Sequence, residues 1–336
     1  MITTYHATPG GVTTGSMPPS GVTTGGADGV ARDALWIDLL DPSPEEIALV
    51  EARTGLDLPS RDRMQEIETS SRLSRLGDAL VMTVPVLTGA SGFEPRNSAV
   101  TFILSGPLLV TLRHDTPHAM ATFAAALPAA HPAPVSGGDV MLGLVEAIID
   151  RIADVLQDLG TGLDGISHRI FHQPHGPQHR RRRAGSREME ALLRTIGRTG
   201  DLSGKARETL LGLKRATAFL PHGEGALGLS GLPDRLRAID QDLHSLAEYT
   251  DFLGNKINFL LDATLGLIGI QQNQVIKLFT IMSVLFLPPT LVASWYGMNF
   301  KIIPELQWEL GYLWAIGLAV VSAVLPYLYF RRKGWV

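Results

Sequence analysis

The stretch Tyr296-Gly297-Met298-Asn299-Phe300 has the residue types, and the position, to do chemistry. It ends an uncharged run, Leu278 to Trp295, and a short polar loop leads from it into a second uncharged run, Tyr312 to Phe330. Asn299 offers a neutral amide oxygen, and the backbone carbonyls around Gly297 add others. A divalent cation such as Mg2+ demands octahedral oxygen geometry and gives up its waters reluctantly, so a site that passes it gains by holding the hydrated ion. Neutral acceptors arranged in a ring do this without a carboxylate to trap the charge. Glycine allows the backbone to turn out of a helix at this point. A lone Gly-X-Asn is also an ordinary helix C-cap. Its place between two uncharged runs gives it weight.

Each run is about 18 to 19 residues, and at ~1.5 Å per residue a helix of that length crosses a ~30 Å hydrocarbon core. The chain therefore ends in a transmembrane hairpin with Gly297-Met298-Asn299 at its turn. Lys277 precedes the first span, and Arg331, Arg332 and Lys333 follow the second. The connecting loop sets Lys301 against Glu305 and Glu309. Basic residues favour the cytoplasmic side, which places both termini and the large preceding region inside and the loop outside. Glu305 and Glu309 would raise the local cation concentration there.

A 3-4 spacing continued through the first span picks out Asn273, Ile276, Thr280, Ser283, Leu287, Thr290 and Ser294. Nearly every polar side chain from Asn273 to Ser294 lies on this stripe; Gln274 and Lys277, at the inner end, are the exceptions. A helix facing only lipid has no reason to gather its hydroxyls, so they face a partner helix or water. The Asn299 turn at the end of the same stripe favours a pore. Leu287, the large apolar residue between Ser283 and Thr290, would form a constriction.

Upstream, residues 1–32 are Gly/Thr-rich, with Gly-Val-Thr-Thr-Gly at 11–15 and again at 21–25. They have little to bury and are expected to form a flexible tail. Strand-like runs follow at Leu35–Leu39, Ala79–Leu87, Ala99–Leu104 and Leu108–Leu112, and Pro with acids in Asp41-Pro42-Ser43-Pro44-Glu45-Glu46 marks a helix start. An α/β domain over 33–137 is expected, then a helical hairpin over 138–230 built from helices at 139–171 and 186–219. A stalk helix over 231–272 shows 3-4 spacing at Leu243, Leu246, Thr250, Leu253, Ile257, Leu260, Thr264 and Leu267. It runs on into the first span (273–296), followed by the outer loop (297–311), the second span (312–330) and a basic tail (331–336). Stalk and span together make about 60 residues, or ~90 Å of helix.

The net charge of −4 is too small to argue for nucleic acid, and the absence of cysteine removes disulfides and thiolate metal sites. No Gly-x4-Gly-Lys-Ser/Thr occurs, since Gly204-Lys205-Ala206 lacks both ends of it, so no nucleotide is implied. No catalytic triad is visible in the region before the stalk, and no cofactor is expected. The start Met1-Ile2-Thr3-Thr4-Tyr5-His6 does not read as a secretory signal.

The C-terminal residues resemble those of the CorA family of divalent-cation channels, whose members carry Tyr-Gly-Met-Asn-Phe after the first of two C-terminal spans. The resemblance is close from Asn273 onward, through Tyr296–Phe300, Ile303-Pro304-Glu305-Leu306-Gln307-Trp308 and Arg331-Arg332-Lys333-Gly334-Trp335. It is weaker at Trp36–Leu39 and Pro42–Glu46. It implies an α+β cytoplasmic domain (an α/β/α sandwich plus a helical hairpin) and a stalk helix that enters the membrane as a pore wall. A funnel-shaped homopentamer in the inner (plasma) membrane is implied with it, carrying Mg2+ downhill without catalysis, with Co2+ and Ni2+ as further candidate ions. Gly297, Met298 and Asn299 would then select the ion, Asn273 and Leu287 would match pore positions, and Phe279 falls where the family has an apolar gate residue. The family's cytosolic sensor carboxylate falls on Ala238, with Asp240 and Asp242 close by. His168 and His172, four apart near the hairpin tip before Arg180–Arg183, have the spacing of a metal pair, although such a tip is commonly a solvated turn.

Two other readings stand beside this one. A Zn2+ transporter of the related ZntB type would share the fold, but Met298 and Pro304-Glu305-Leu306 favour the first reading. A soluble signalling or enzyme domain merely anchored in the bilayer would leave the polar stripe unexplained.

Overall fold

Among the described residues, runs rich in β-branched and apolar side chains build seven strands, β1 (Ile2–Thr8), β2 (Gly11–Met17), β3 (Ala34–Leu40), β4 (Leu73–Leu76), β5 (Ala79–Thr88), β6 (Arg96–Ser105) and β7 (Leu108–Arg113). The computed structural model describes residues 1–8, 11–17, 34–66, 68–92, 94–130, 134–172, 181–220, 232–299, 304 and 308–335, apart from the side chains of 69, 70 and 181–186. The strands form one sheet in the order β2-β1-β3-β7-β6-β5-β4. Every pairing is antiparallel except β3 with β7. The helices are α1 (Pro44–Thr54), α2 (Arg61–Gln65), α3 (Thr69–Arg72), α4 (His118–Ala126), α5 (Gly137–Phe171), α6 (Arg181–Phe219), α7 (Leu232–Tyr296) and α8 (Gly311–Arg332). Two compact units result, Met1–Gly176 with Ala191–Leu260, and Pro177–Glu190 with Leu261–Val336.

The expectation of a flexible tail over 1–32 fails for β1 and β2. Ile2, Thr4, Tyr5 and Val12 are buried, and Tyr5 stacks on Trp36 with ring centroids 4.3 Å apart. The Met1 amino group donates to Leu40 O and Glu46 Oε2, which ties down the start of β1. Glycine and threonine were read as low complexity. Here the first Gly-Val-Thr-Thr-Gly copy is a strand, because β1 gives its backbone a ladder to join. The second copy, like the rest of 18–33, lies outside the described residues.

In the first unit the sheet is covered on both faces. One face carries Ile37, Leu39, Val81, Ile103, Val110 and Leu112 against Val50 of α1 and Met64 of α2. Helix α1 starts as its sequence suggests: Pro44 follows Ser43, whose Oγ accepts from Glu46 N, while Glu46 Oε2 accepts from Ser43 N. The opposite face meets α4, whose Phe123 packs edge-on to Trp36, together with α5 and α6. At Gly137 a side chain is impossible, because a Cβ would lie 2.3 Å from Leu109 N. The expected segment 33–137 and most of 138–230, all but 177–190, share one compact unit.

Between β3 and β7 runs a buried polar chain. Trp36 Nε1 donates to Thr111 Oγ1 (2.9 Å), which donates to Asp38 Oδ1 (2.7 Å), and Arg113 Nη2 donates to Asp38 Oδ2 (2.7 Å). Arg113 and Asp38 are both buried, and burial beside the Asp38 charge pushes the Tyr5 phenol up from its usual range.

Contacts along the long helices run in a consistent order. From α5 to α7, Asp139 and Glu146 bind Arg235, Gly160 faces Tyr249, and Asp164 binds Lys256, so these two helices are parallel. From α6, Arg207 binds Asp251 and Gly200 faces Ile257, so α6 is antiparallel to both. The predicted seam accounts for this: Leu243, Thr250, Leu253, Ile257 and Leu260 are buried.

Candidate functional site

The site residues lie in the second unit, on α7 beyond Leu260, on the turn after it, and on α8. Helix α7 continues through Pro288 and Pro289 to Tyr296. Both α7 and α8 are long and apolar enough to cross a bilayer.

From residue 271 onward the half-covered positions of α7 are Lys277, Ile281, Leu285, Pro288, Pro289, Val292 and Tyr296, a 3-4 series, and Leu285 and Pro289 line a cleft with α8. On α8 the half-covered positions are Ala315, Ala319, Ser322, Ala323 and Pro326. Small residues at four-residue spacing let two membrane helices approach closely, and this signal was readable in the sequence but not used.

The predicted stripe of Asn273, Ile276, Thr280, Ser283, Leu287, Thr290 and Ser294 is exposed throughout. Ser283, Thr290 and Ser294 each sit two residues before a half-covered one (Leu285, Val292 and Tyr296), or ~200° round the helix, while Thr280 sits one residue before Ile281. The hydroxyls therefore do not serve as glue between the two spans of one chain. Thr280 and Thr290 donate to the carbonyls of Ile276 and Phe286 at 2.9 and 2.7 Å. A hydroxyl oxygen bonded this way keeps its lone pairs for an outside donor. Leu287 is 67% exposed, and Phe279, one position before Thr280, is equally open at 65%.

Gly297 closes α7, its amide donating to Ala293 O at 3.0 Å. It does so without a positive φ, which corrects the expectation that glycine supplies unusual backbone freedom here. What glycine relieves here is a tight contact: a Cβ would lie 3.0 Å from Ala293 O. Met298 and Asn299 follow, both exposed. Phe300 and Glu305 lie outside the described residues, while Glu309 is exposed just before α8.

At the opposite end of the hairpin, the tail folds back. Trp335 stacks on Phe330 with centroids 5.4 Å apart, and Lys277 Nζ lies 5.5 Å from the Trp335 ring. Reading by sequence placed the cations at this end but missed the aromatic clamp.

The candidate metal residues of the first unit are not brought into a ligand set. His168 and His172 stack with ring centroids 4.8 Å apart, and Asp240 and Asp242 are exposed. Among the described residues no group of three or more His, Asp or Glu is placed to hold a metal ion. Asp242 does belong to an acidic group with Glu146, Asp150 and Asp154. Partial burial, and then the charges of Glu146, Asp154 and Asp242, raise the Asp150 carboxyl above its usual range.

Residues 32–332 match the family described as "CorA-like Mg2+ transporter protein". The magnesium transport protein CorA of Salmonella typhimurium is 34% identical over 306 residues, 90% of this chain and 92% of that protein. The same-named protein of Escherichia coli K12 matches with the same identity and coverage. In fold, the chain resembles the complete CorA magnesium transporter from Methanocaldococcus jannaschii, with a TM-score of 0.72 and 16% identity over 100% of this chain and 99% of that one.

Proposed function

The chain belongs to the family of CorA-like Mg2+ transporter proteins, and from that premise we propose that it passes hydrated Mg2+ across the membrane down its electrochemical gradient. The relatives at 34% identity are named as magnesium transport proteins, and this supports Mg2+ as the substrate. Co2+ and Ni2+ share its charge and octahedral preference and are the next ions to test. The observation that carries the reading is the exposed stripe from Asn273 to Ser294, turned away from the chain's own second span and ending in exposed Asn299. In a bilayer, hydroxyls gathered on one face and ending in an amide suit other protein or a water-filled path better than lipid. Copies of α7 arranged around an axis supply both, and the family resemblance suggests five.

In this reading Asn299 selects the ion. Its amide oxygen accepts hydrogen bonds from the waters of the cation and adds no net charge. Leu287, with Phe279 at the inner side, narrows the path, and Glu305 and Glu309 attract cations to the outer mouth. The termini and the first unit are cytoplasmic, in line with the basic residues at Lys277 and Arg331–Lys333. A divalent ion gains ~4.6 kcal/mol per 100 mV of inside-negative potential, enough to drive uptake without a nucleotide or a catalytic step.

The test is flux of Mg2+, Co2+, Ni2+ and Zn2+ into liposomes holding the purified protein. Asn299→Ala should lower Mg2+ flux by at least tenfold at unchanged size-exclusion profile, because its side chain is exposed and α7 and α8 are untouched. Asn299→Asp should bind the ion more strongly and slow its release. Wild-type flux from a correctly assembled Asn299→Ala protein would sink the assignment.

A further inference from the structure

A groove of about 470 Å3 lies between α7 and α8, lined by Leu285, Phe286 and Pro289 on one side and Ala319, Ala323 and Tyr327 on the other. Its depth in the bilayer follows from helix rise. Leu285 and Pro289 are eight and twelve residues from Lys277, or ~12 and ~18 Å along α7. Tyr327 and Ala319 are four and twelve residues from Arg331, or ~6 and ~18 Å along α8. One leaflet fills about 15 Å of hydrocarbon, so on both helices the groove begins in the leaflet on the side where the chain ends and reaches just past the midplane. An acyl chain from that leaflet has the matching length and direction.

The cations at the same end point to the headgroup. Lys277, Arg331, Arg332 and Lys333 stand in a stretch with no Asp or Glu between Asp262 and Glu305 or after Glu309. Among the described residues none of the four forms an ion pair with a carboxylate. Lys277 lies over the Trp335 ring, and Lys333 lies 5.4 Å from the Tyr329 ring. Tyr327 and Arg331 are four apart on α8, so the groove and a guanidinium share one face of the helix. Basic pockets between spans at the bilayer surface suit phosphodiester headgroups, and amphipathic aromatics belong at that depth.

We propose that this end of the hairpin binds one anionic phospholipid per chain, from the leaflet holding the C-terminus. Lys277 and Arg331 engage its phosphate, and one acyl chain lies in the groove. The proposal needs only that α7 and α8 span the bilayer; it does not depend on which ion is carried.

Full-length protein in mild detergent is titrated with phosphatidylglycerol or phosphatidylcholine of the same chains, and bound lipid is counted by native mass spectrometry. Phosphatidylglycerol should be retained at about one per chain and at least tenfold more tightly than phosphatidylcholine, a preference that weakens as salt rises. Lys277→Gln with Arg331→Gln should remove the preference. Ala323→Trp, which fills the groove and leaves the cations in place, should lower retention of both lipids. The salt titration on wild-type protein keeps the test valid if a variant fails to fold. Equal retention of the two lipids by wild-type protein would overturn the proposal. So would unchanged retention in Ala323→Trp accompanied by loss of assembly, since a second copy of the chain would then be the groove's occupant.

Discussion

Two sets of polar side chains in this molecule differ in what answers them. In the first unit, Trp36, Asp38, Thr111 and Arg113 sit inside the sheet, and each donor meets an acceptor of the same chain. In the second, Asn273, Thr280, Ser283, Thr290 and Ser294 line one side of an apolar helix; Thr280 and Thr290 donate to carbonyls of their own helix, yet all five side chains are exposed. The first set is closed, so its business is structure. The second set stands where bulk water is absent and its own chain does not cover it, so something outside the chain must. A polar group buried among partners of its own chain holds a fold together, whereas a stripe of them exposed at membrane depth marks a path or an interface.

The contrast can be broken most forcefully at the closed set. Asp38→Ala leaves Arg113 charged and buried without its partner, a loss of about 3–5 kcal/mol, which is a large part of the stability of an ordinary domain. The melting temperature should fall and assembled protein should be scarce. Replacing the pair together, Asp38→Leu with Arg113→Met, should recover most of that loss, since no charge is then stranded. No recovery in thermal unfolding of the double variant would mean that the pair does more than neutralise itself.

At the open set a comparable change should leave stability alone and alter flux. Leu287→Ser removes the large apolar side chain between Ser283 and Thr290, and a hydrophobic constriction that excludes water should become wet. Basal Mg2+ flux in liposomes should rise on the order of tenfold, with the melting temperature unchanged, because Leu287 is exposed rather than packed in a core. Unchanged flux with normal insertion would count against a pore on this face.

The smallest effect is expected at Asp150. Its carboxyl is held above the usual range, so the folded chain holds this proton more tightly than the unfolded chain does. Its ionisation therefore opposes folding as pH rises through the folded-state pKa, and the opposition disappears as pH falls toward about 4, the unfolded carboxylate value. Asp150→Asn should raise the melting temperature at pH 7.5 by an amount worth less than about 1 kcal/mol, because the group is screened by water. The gain should shrink in scans at lower pH. A gain that stays constant down to pH 4 would show that charge is not its cause.

Much of this was written in the chain itself. Eighteen uncharged residues before Tyr296 and nineteen from Tyr312 fix two spans by length alone, and a 3-4 series of hydroxyls fixes which side of α7 is polar, because both follow from helix geometry. The seam from Leu243 to Leu260 was legible for the same reason. The tertiary structure decided what depends on distant partners. Strands β1 and β2 exist because β3 offers Ile2–Thr8 a ladder more than twenty-five residues away, and no local pattern in a Gly/Thr-rich stretch announces that. At Gly297 the tertiary structure shows a tight approach, 3.0 Å from a Cβ position to the Ala293 carbonyl, and no unusual φ. Likewise Asp38 became structural only when a parallel neighbour brought Thr111 and Arg113 against it. Periodicity carries information over one or two helical turns. Pairing across a sheet is set by the packing of the whole unit, and there the sequence alone stops.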